Sequence, residues 1–185
     1  MQFTGLIIVV IVFLIITFVV IFNKLVRGRN LVKEGWSGID VQLKRRHDLI
    51  PNIVETVKGY AGHEKQLFEE VSRIRSNAEN SKSVKESGVS EIAVSKSLRN
   101  LFALAEAYPE LKANQNFMEL QKTLSEIEEQ ISLARRYYNG TARDMNILVE
   151  SFPSSIVAGM GGFKKADFFE IEYAAHREAP EVKIA

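Results

Sequence analysis

Residues 36–57 read WSGIDVQLKRRHDLIPNIVETV, and their spacing decides the fold. Stepping alternately by three and four from Trp36 reaches Ile39, Leu43, Arg46, Ile50, Ile53 and Val57. The same phase continues through Tyr60, Glu64, Leu67, Val71, Ile74 and Ala78, with Arg46 and Glu64 as its charged members. A repeat of about 3.5 residues holds one seam against a neighbouring helix, whereas a strand would alternate every second residue. A second run has the same step: Phe117, Leu120, Leu124, Ile127, Ile131, Ala134, Tyr138, Thr141, Met145, Leu148 and Phe152. Ile92, Val94, Leu98, Leu101, Ala105 and Tyr108 suggest a shorter third helix. The expected fold class is therefore all-α, an antiparallel bundle of long helices.

Breakers set the expected boundaries. The stretch from Asn77 to Ser90 is rich in Asn, Ser, Lys and Glu, contains Gly88 and lacks a continuing apolar face, so it reads as a mobile connector. Pro109 marks a turn after Tyr108, and Pro153 ends the run that reaches Phe152. Gly159, Gly161 and Gly162 form a loop, after which Phe163, Phe168, Phe169 and Ile171 are expected to fold back onto the bundle. Pro51 falls inside the first run without disturbing its phase, which predicts a kink rather than an end.

Working outward to the N-terminus, the block from Phe3 to Phe22 carries no charge and is mostly Ile, Val, Leu and Phe. Twenty helical residues span about 30 Å, the thickness of a bilayer's hydrocarbon core. A cleaved signal peptide fits poorly, because the first residues are uncharged and no small-residue cleavage site comes after the block. Lys24, Arg27, Arg29 and Lys33 stand directly beyond it. Basic residues flanking a span stay on the cytoplasmic side. The expected arrangement is a single-pass protein of the cell inner membrane, with its N-terminus outside and its bundle in the cytoplasm. Residues 1–23 form the transmembrane anchor, 24–176 the bundle and 177–185 a tail. Anchor and first helix should run together as one rod.

Across its 185 residues the chain has 24 Lys and Arg against 23 Asp and Glu, a net charge of +1 that does not suit a nucleic-acid binder. It has no cysteine, which excludes disulfides, thiolate metal sites and thiol nucleophiles. None of His47, His63 and His176 lies three residues after a Glu, as a carboxylate-bridged metal site in a bundle would require. After His63-Glu64, position 67 is Leu where a zinc-protease motif needs a second His. Gly159-Met160-Gly161-Gly162 lacks the ending of a phosphate loop, and Asn139-Gly140-Thr141 is a glycosylation triplet in a helical run. No metal, cofactor or catalytic residue is expected. Arg46 and Glu64 lie about 27 Å apart along a straight helix, so their partners must come from other helices. Glu106, Glu128, Arg75 and Arg135 are the candidates.

The chain resembles the LemA family from about residue 20 to residue 170. The resemblance rests on the stretch from Trp36 to Asn52, on Tyr60-Ala61-Gly62-His63-Glu64, on Glu106 to Asn114 and on Phe117-Met118-Glu119-Leu120-Gln121. Glu128, Arg135-Arg136-Tyr137-Tyr138-Asn139, Asn146 and Phe152-Pro153 complete it. The resemblance implies an N-terminal anchor before a cytoplasmic helical bundle, with no established enzymatic activity. It also implies a link to membrane organisation, since one branch is associated with magnetosome membranes. The family's charged and amide positions fall on Arg46, Asp48, Glu64, Glu106, Glu128, Arg135, Asn139 and Asn146, which would form a structural network or a docking surface. The expected function is a non-catalytic scaffold or interaction protein, self-assembling or membrane-organising, with protein partners or further copies of itself. The alternative is a small-molecule or signal sensor with a polar pocket lined by Arg46, Glu64, Glu106 and Arg135.

Overall fold

The computed structural model describes residues 2–170; Ile171, His176 and the tail 177–185 lie outside the described residues. Among the described residues the chain is helical without strands. The helices are α1 (Gln2–Lys58), α2 (Lys65–Glu79), α3 (Val84–Glu106), α4 (Pro109–Lys112), α5 (Gln115–Glu150) and α6 (Ser154–Met160). Helix α1 joins the apolar block to the first heptad run without interruption and continues past Pro51 for two further turns. The most hydrophobic stretch of this helix is unburied by the rest of the protein, and α1 is long and apolar enough there to cross a membrane.

The first heptad run is not one helix, as its unbroken phase suggests. The chain leaves helical geometry at Gly59-Tyr60-Ala61-Gly62, where two glycines favour the turn over continued helix. Tyr60 and Glu64 are consequently exposed rather than in a seam. The expected connector from Asn77 to Ser90 shrinks to residues 80–83. Ser83 caps α3 by accepting a bond of 3.2 Å from the Glu86 backbone N–H, while the Glu86 carboxylate accepts one of 2.9 Å from the Lys82 N–H. The first turns of α3 escape apolar pattern reading because their buried face consists of Ser87, Gly88 and Glu91. A Cβ on Gly88 would lie 2.5 Å from the Glu170 carbonyl oxygen, so only glycine admits that approach.

Two compact units form, and each mixes distant parts of the sequence. Among the described residues, one takes the chain up to Ile39 with Leu133–Phe168; the other takes Asp40–Ser132 with Phe169 and Glu170. In the second unit, Ile50, Ile53 and Val57 of α1 share a core with Phe68 and Val71 of α2, and with Val94, Leu98 and Leu101 of α3. Leu111, Phe117 and Leu124 close it. Asn114 ties two ends together: its side-chain oxygen accepts from the Phe117 N–H at 3.0 Å as the cap of α5, and its amide donates to the Tyr60 hydroxyl at 3.0 Å.

In the first unit α1 and α5 run antiparallel, with Gly28 against Met145 and Gly35 against Tyr138. A Cβ at Gly35 would stand 3.1 Å from the Tyr138 Cα, so this glycine sets how closely the two backbones approach. Trp36 meets the Tyr138 ring edge-on at 5.7 Å. At the other end of the pair, Leu25, Met145, Val157, Ala158 and Phe163 form a small core with Ile21 and Leu148 packed against it. The last described stretch, residues 163–170, returns without helix or strand. Phe163 and Phe169 are buried as expected, whereas Phe168 is exposed. Phe152, the last member of the second heptad run, is also exposed, because α5 ends at Glu150 and the chain turns away before completing the seam.

Candidate functional site

The polar centre of the second unit is built from one residue pair on α1 and one carboxylate each from α3 and α5. Arg46 is fully enclosed and Glu91 is 1% exposed. Arg46 Nη2 donates to Glu91 Oε2, while Nη1 donates to Glu128 Oε1 at 2.6 Å and to Ser95 Oγ at 3.3 Å. The second oxygen of Glu91 accepts from His47 Nε2 at 2.8 Å. One carboxylate thus bridges neighbouring side chains of α1. Arg46 Nε is buried without a hydrogen-bond partner in the protein.

A guanidinium removed from water is costly unless its charge is matched and its donors are occupied. Glu91 supplies the buried match and Glu128, with its side chain 42% exposed, supplies a second carboxylate still in touch with solvent. Such a cluster adds little net stability over an apolar equivalent, but it penalises every helix register that separates the charges. Within this unit the cluster ties α1, α3 and α5 to one another.

His47 is held well below the usual imidazole range, at about 4, first by burial, then by the Arg46 cation, with a smaller push from Arg75 and opposition from Asp48. The unfolded chain binds this proton near pH 6.5 and the folded chain does not until about pH 4, so stability is complete above pH 6.5 and falls as pH drops through that window. The loss can reach about 3 kcal/mol. Unfolding midpoints measured between pH 7 and pH 4 should show this decline, and His47→Gln should flatten it while retaining a donor for Glu91. A variant with the same slope as the parent would place the acid sensitivity elsewhere.

Of the residues singled out in sequence, Arg46 and Glu128 meet. Asp48, Glu64 and Glu106 are exposed and take no part in the cluster. Glu64 stands at the start of α2 without a capping bond, and Arg75 pairs with Glu79 at 3.1 Å. Of the pocket expected from Arg46, Glu64, Glu106 and Arg135, the three members in the second unit do not line one cavity: the network encloses Arg46, while Glu64, after the break at residues 59–64, and Glu106 are exposed. Arg135, Asn139 and Asn146 belong to the first unit, all half-buried on α5. Asn146 acts as a clamp on the backbone, since its amide donates to the Ala166 carbonyl at 3.0 Å and its oxygen accepts from the Ala166 N–H at 2.7 Å. Tyr138 adds a bond of 2.7 Å to the Asp167 carbonyl, and the two together pin the returning segment to α5.

Sequence reasoning missed Glu91. Its signal was present: carrying the stripe of Leu101, Leu98 and Val94 one turn further back reaches position 91, a charge on the core face.

The basic residues that follow the apolar block also have defined surroundings. The Arg29 guanidinium lies 5.1 Å from the centroid of the Phe163 ring. Lys24 and Arg27 border a shallow hollow of about 200 Å³ floored by Gly28, Leu31, Met145 and Leu148.

One helix fit to cross a bilayer, joined to helices packed around an enclosed ion cluster, defines the class of protein: all-helical, with an apolar N-terminal helix. Within that class the LemA family model matches residues 35–184, and the chain belongs to the LemA family. Protein LemA of Metamycoplasma hominis is 25% identical, covering 88% of this chain and 72% of that protein. Magnetosome protein MamQ 2 of Paramagnetospirillum magneticum is 22% identical over 84% of this chain and 67% of its own length. Magnetosome protein MamQ of Magnetospirillum gryphiswaldense is 21% identical over 84% and 66%.

Proposed function

We propose that this protein is a non-catalytic scaffold of the inner membrane: α1 spans the bilayer with its N-terminus outside, and the bundle presents helix surfaces in the cytoplasm to further copies of itself or to other membrane-associated proteins. The observation that carries this reading is the apolar segment of α1, whose most hydrophobic stretch is left unburied by the rest of the protein. An uncharged, mostly apolar block of twenty residues would be untenable in water, and a bilayer is the solvent that matches its length. Lys24, Arg27 and Arg29 directly after the span support the orientation. Relatives named as magnetosome proteins fit a role in organising membranes. The enclosed cluster around Arg46 has its charges committed to one another, which suits a register lock better than a reaction centre.

The test is the mass of the full chain in lipid nanodiscs or after gentle extraction, at several protein concentrations, beside cross-linking in intact membranes. A scaffold that assembles with itself gives multiples of 20.9 kDa in both. A 20.9 kDa monomer throughout, with no cross-linked species in the membrane, would end the scaffold reading.

A further inference from the structure

We propose that α6 and the turn before it form a second membrane contact, an apolar wedge seated in the lipid interface beside the point where α1 leaves the bilayer. The inference rests on α1 being the span. Three observations within the first unit place the wedge. The chain around α6 packs against the last turn of the apolar segment: Phe163 meets Phe22 edge-on at 5.6 Å, and a Cβ on Gly161 would be 3.3 Å from the Phe22 ring. Val157 and Ala158 are buried in the core that includes Leu25 and Ile21, which fixes α6 at the level where apolar sequence gives way to Lys24. The outer surface carries large apolar side chains: Phe152 is 82% exposed, Ile156 57% and Met160 74%.

Ile156 and Met160 are four residues apart and share the helix face turned away from Val157 and Ala158. Three large apolar side chains clustered on a turn and a short helix are a poor surface for water but a suitable one for the boundary between headgroups and acyl chains, where amphipathic helices lie with their apolar face a few ångströms deep. The bases agree with that depth. Lys24, Arg27 and Arg29 come within two turns of Phe22 on α1, so anionic headgroups would meet cations while acyl chains meet Phe152, Ile156 and Met160. Continuity with the apolar segment commits the patch to lipid rather than to a protein partner.

The absence of cysteine makes the test direct. Single substitutions Phe152→Cys, Ile156→Cys and Met160→Cys in the full chain carry a nitroxide label, with Lys122→Cys as an exposed reference and Ile11→Cys inside the span. The protein is reconstituted in vesicles of phosphatidylethanolamine and phosphatidylglycerol. Label accessibility is then measured to oxygen, which concentrates in lipid, and to a water-soluble nickel chelate. The expected result is an oxygen-to-nickel ratio several-fold above that of position 122 at all three wedge positions, below that of position 11. Ratios equal to position 122, with position 11 high, would overturn the wedge and leave the span intact. A low ratio at position 11 as well would overturn both. Labels shielded from both reagents and broadened by one another would show a protein-covered patch, which also overturns it.

Discussion

Replacing Glu91 with Ala is expected to destabilise the bundle by about 3–5 kcal/mol, because it leaves the Arg46 charge enclosed beside only one, half-exposed carboxylate. For a chain of this size the melting midpoint would fall on the order of 10 °C. Glu128→Ala should cost no more than about 1 kcal/mol, since that side chain is partly hydrated and Glu91 remains in place. The decisive comparison is the double substitution of Arg46→Met with Glu91→Leu. Removing both buried charges together should recover most of the loss, as apolar replacements of buried ion pairs generally do. Helical circular dichroism monitored through chemical unfolding of the detergent-solubilised chain distinguishes these cases. If Glu91→Ala unfolded with the parent, the cluster would not be holding the three helices in register.

The second large effect concerns where the protein can be cut from its anchor. A chain beginning at residue 31 loses Leu25, which is fully buried, together with Ile21, Phe22 and the Arg29 guanidinium that sits over Phe163. Met145, Val157, Ala158 and Phe163 would then face water. Loss of a single buried Leu side chain typically costs about 2–5 kcal/mol, and here several contacts vanish together. A chain beginning at Val20 keeps all of them. Hydrogen exchange should show amide protection lost across α6 and the C-terminal turns of α5 in the shorter chain and kept in the longer one, with protection near Leu98 and Leu101 unchanged in both. Equal protection at α6 in the two chains would mean that the end of α1 is not part of that core.

Much of this architecture is legible in the sequence, because burial imprints periodicity. Ile39, Leu43, Ile50, Ile53 and Val57 are enclosed where the 3.5-residue step places them, as are Leu124, Ile127 and Ile131. The step fails where backbone chemistry overrides it. Gly59 and Gly62 break a helix whose hydrophobic phase runs through them, and this moves Glu64 from a presumed seam to the surface. It fails again where small polar residues line a core, so the start of α3 looks like a linker although Ser87, Gly88 and Glu91 are buried. Arg46 and Glu128 are legible as partners because a charge on a core face requires an opposite charge from elsewhere. Asn146 is legible as a position but not as a clamp, since its partner is the backbone of Ala166, and backbone partners leave no trace in side-chain patterns.

The unbroken course of α1 from the apolar block into the packed region has a consequence for how its sequence can vary. One inserted residue turns everything on its N-terminal side by about 100° and shifts it by about 1.5 Å relative to the helix on its C-terminal side. Ahead of Val20 such an insertion moves only side chains that the rest of the protein leaves unburied, so in the proposed span it changes only which of them meet lipid. Between Gly28 and Gly35 the same insertion would carry one glycine off the α5 contact while the other stayed, so one segment of this helix is free to drift in length and the next is locked to a single residue count.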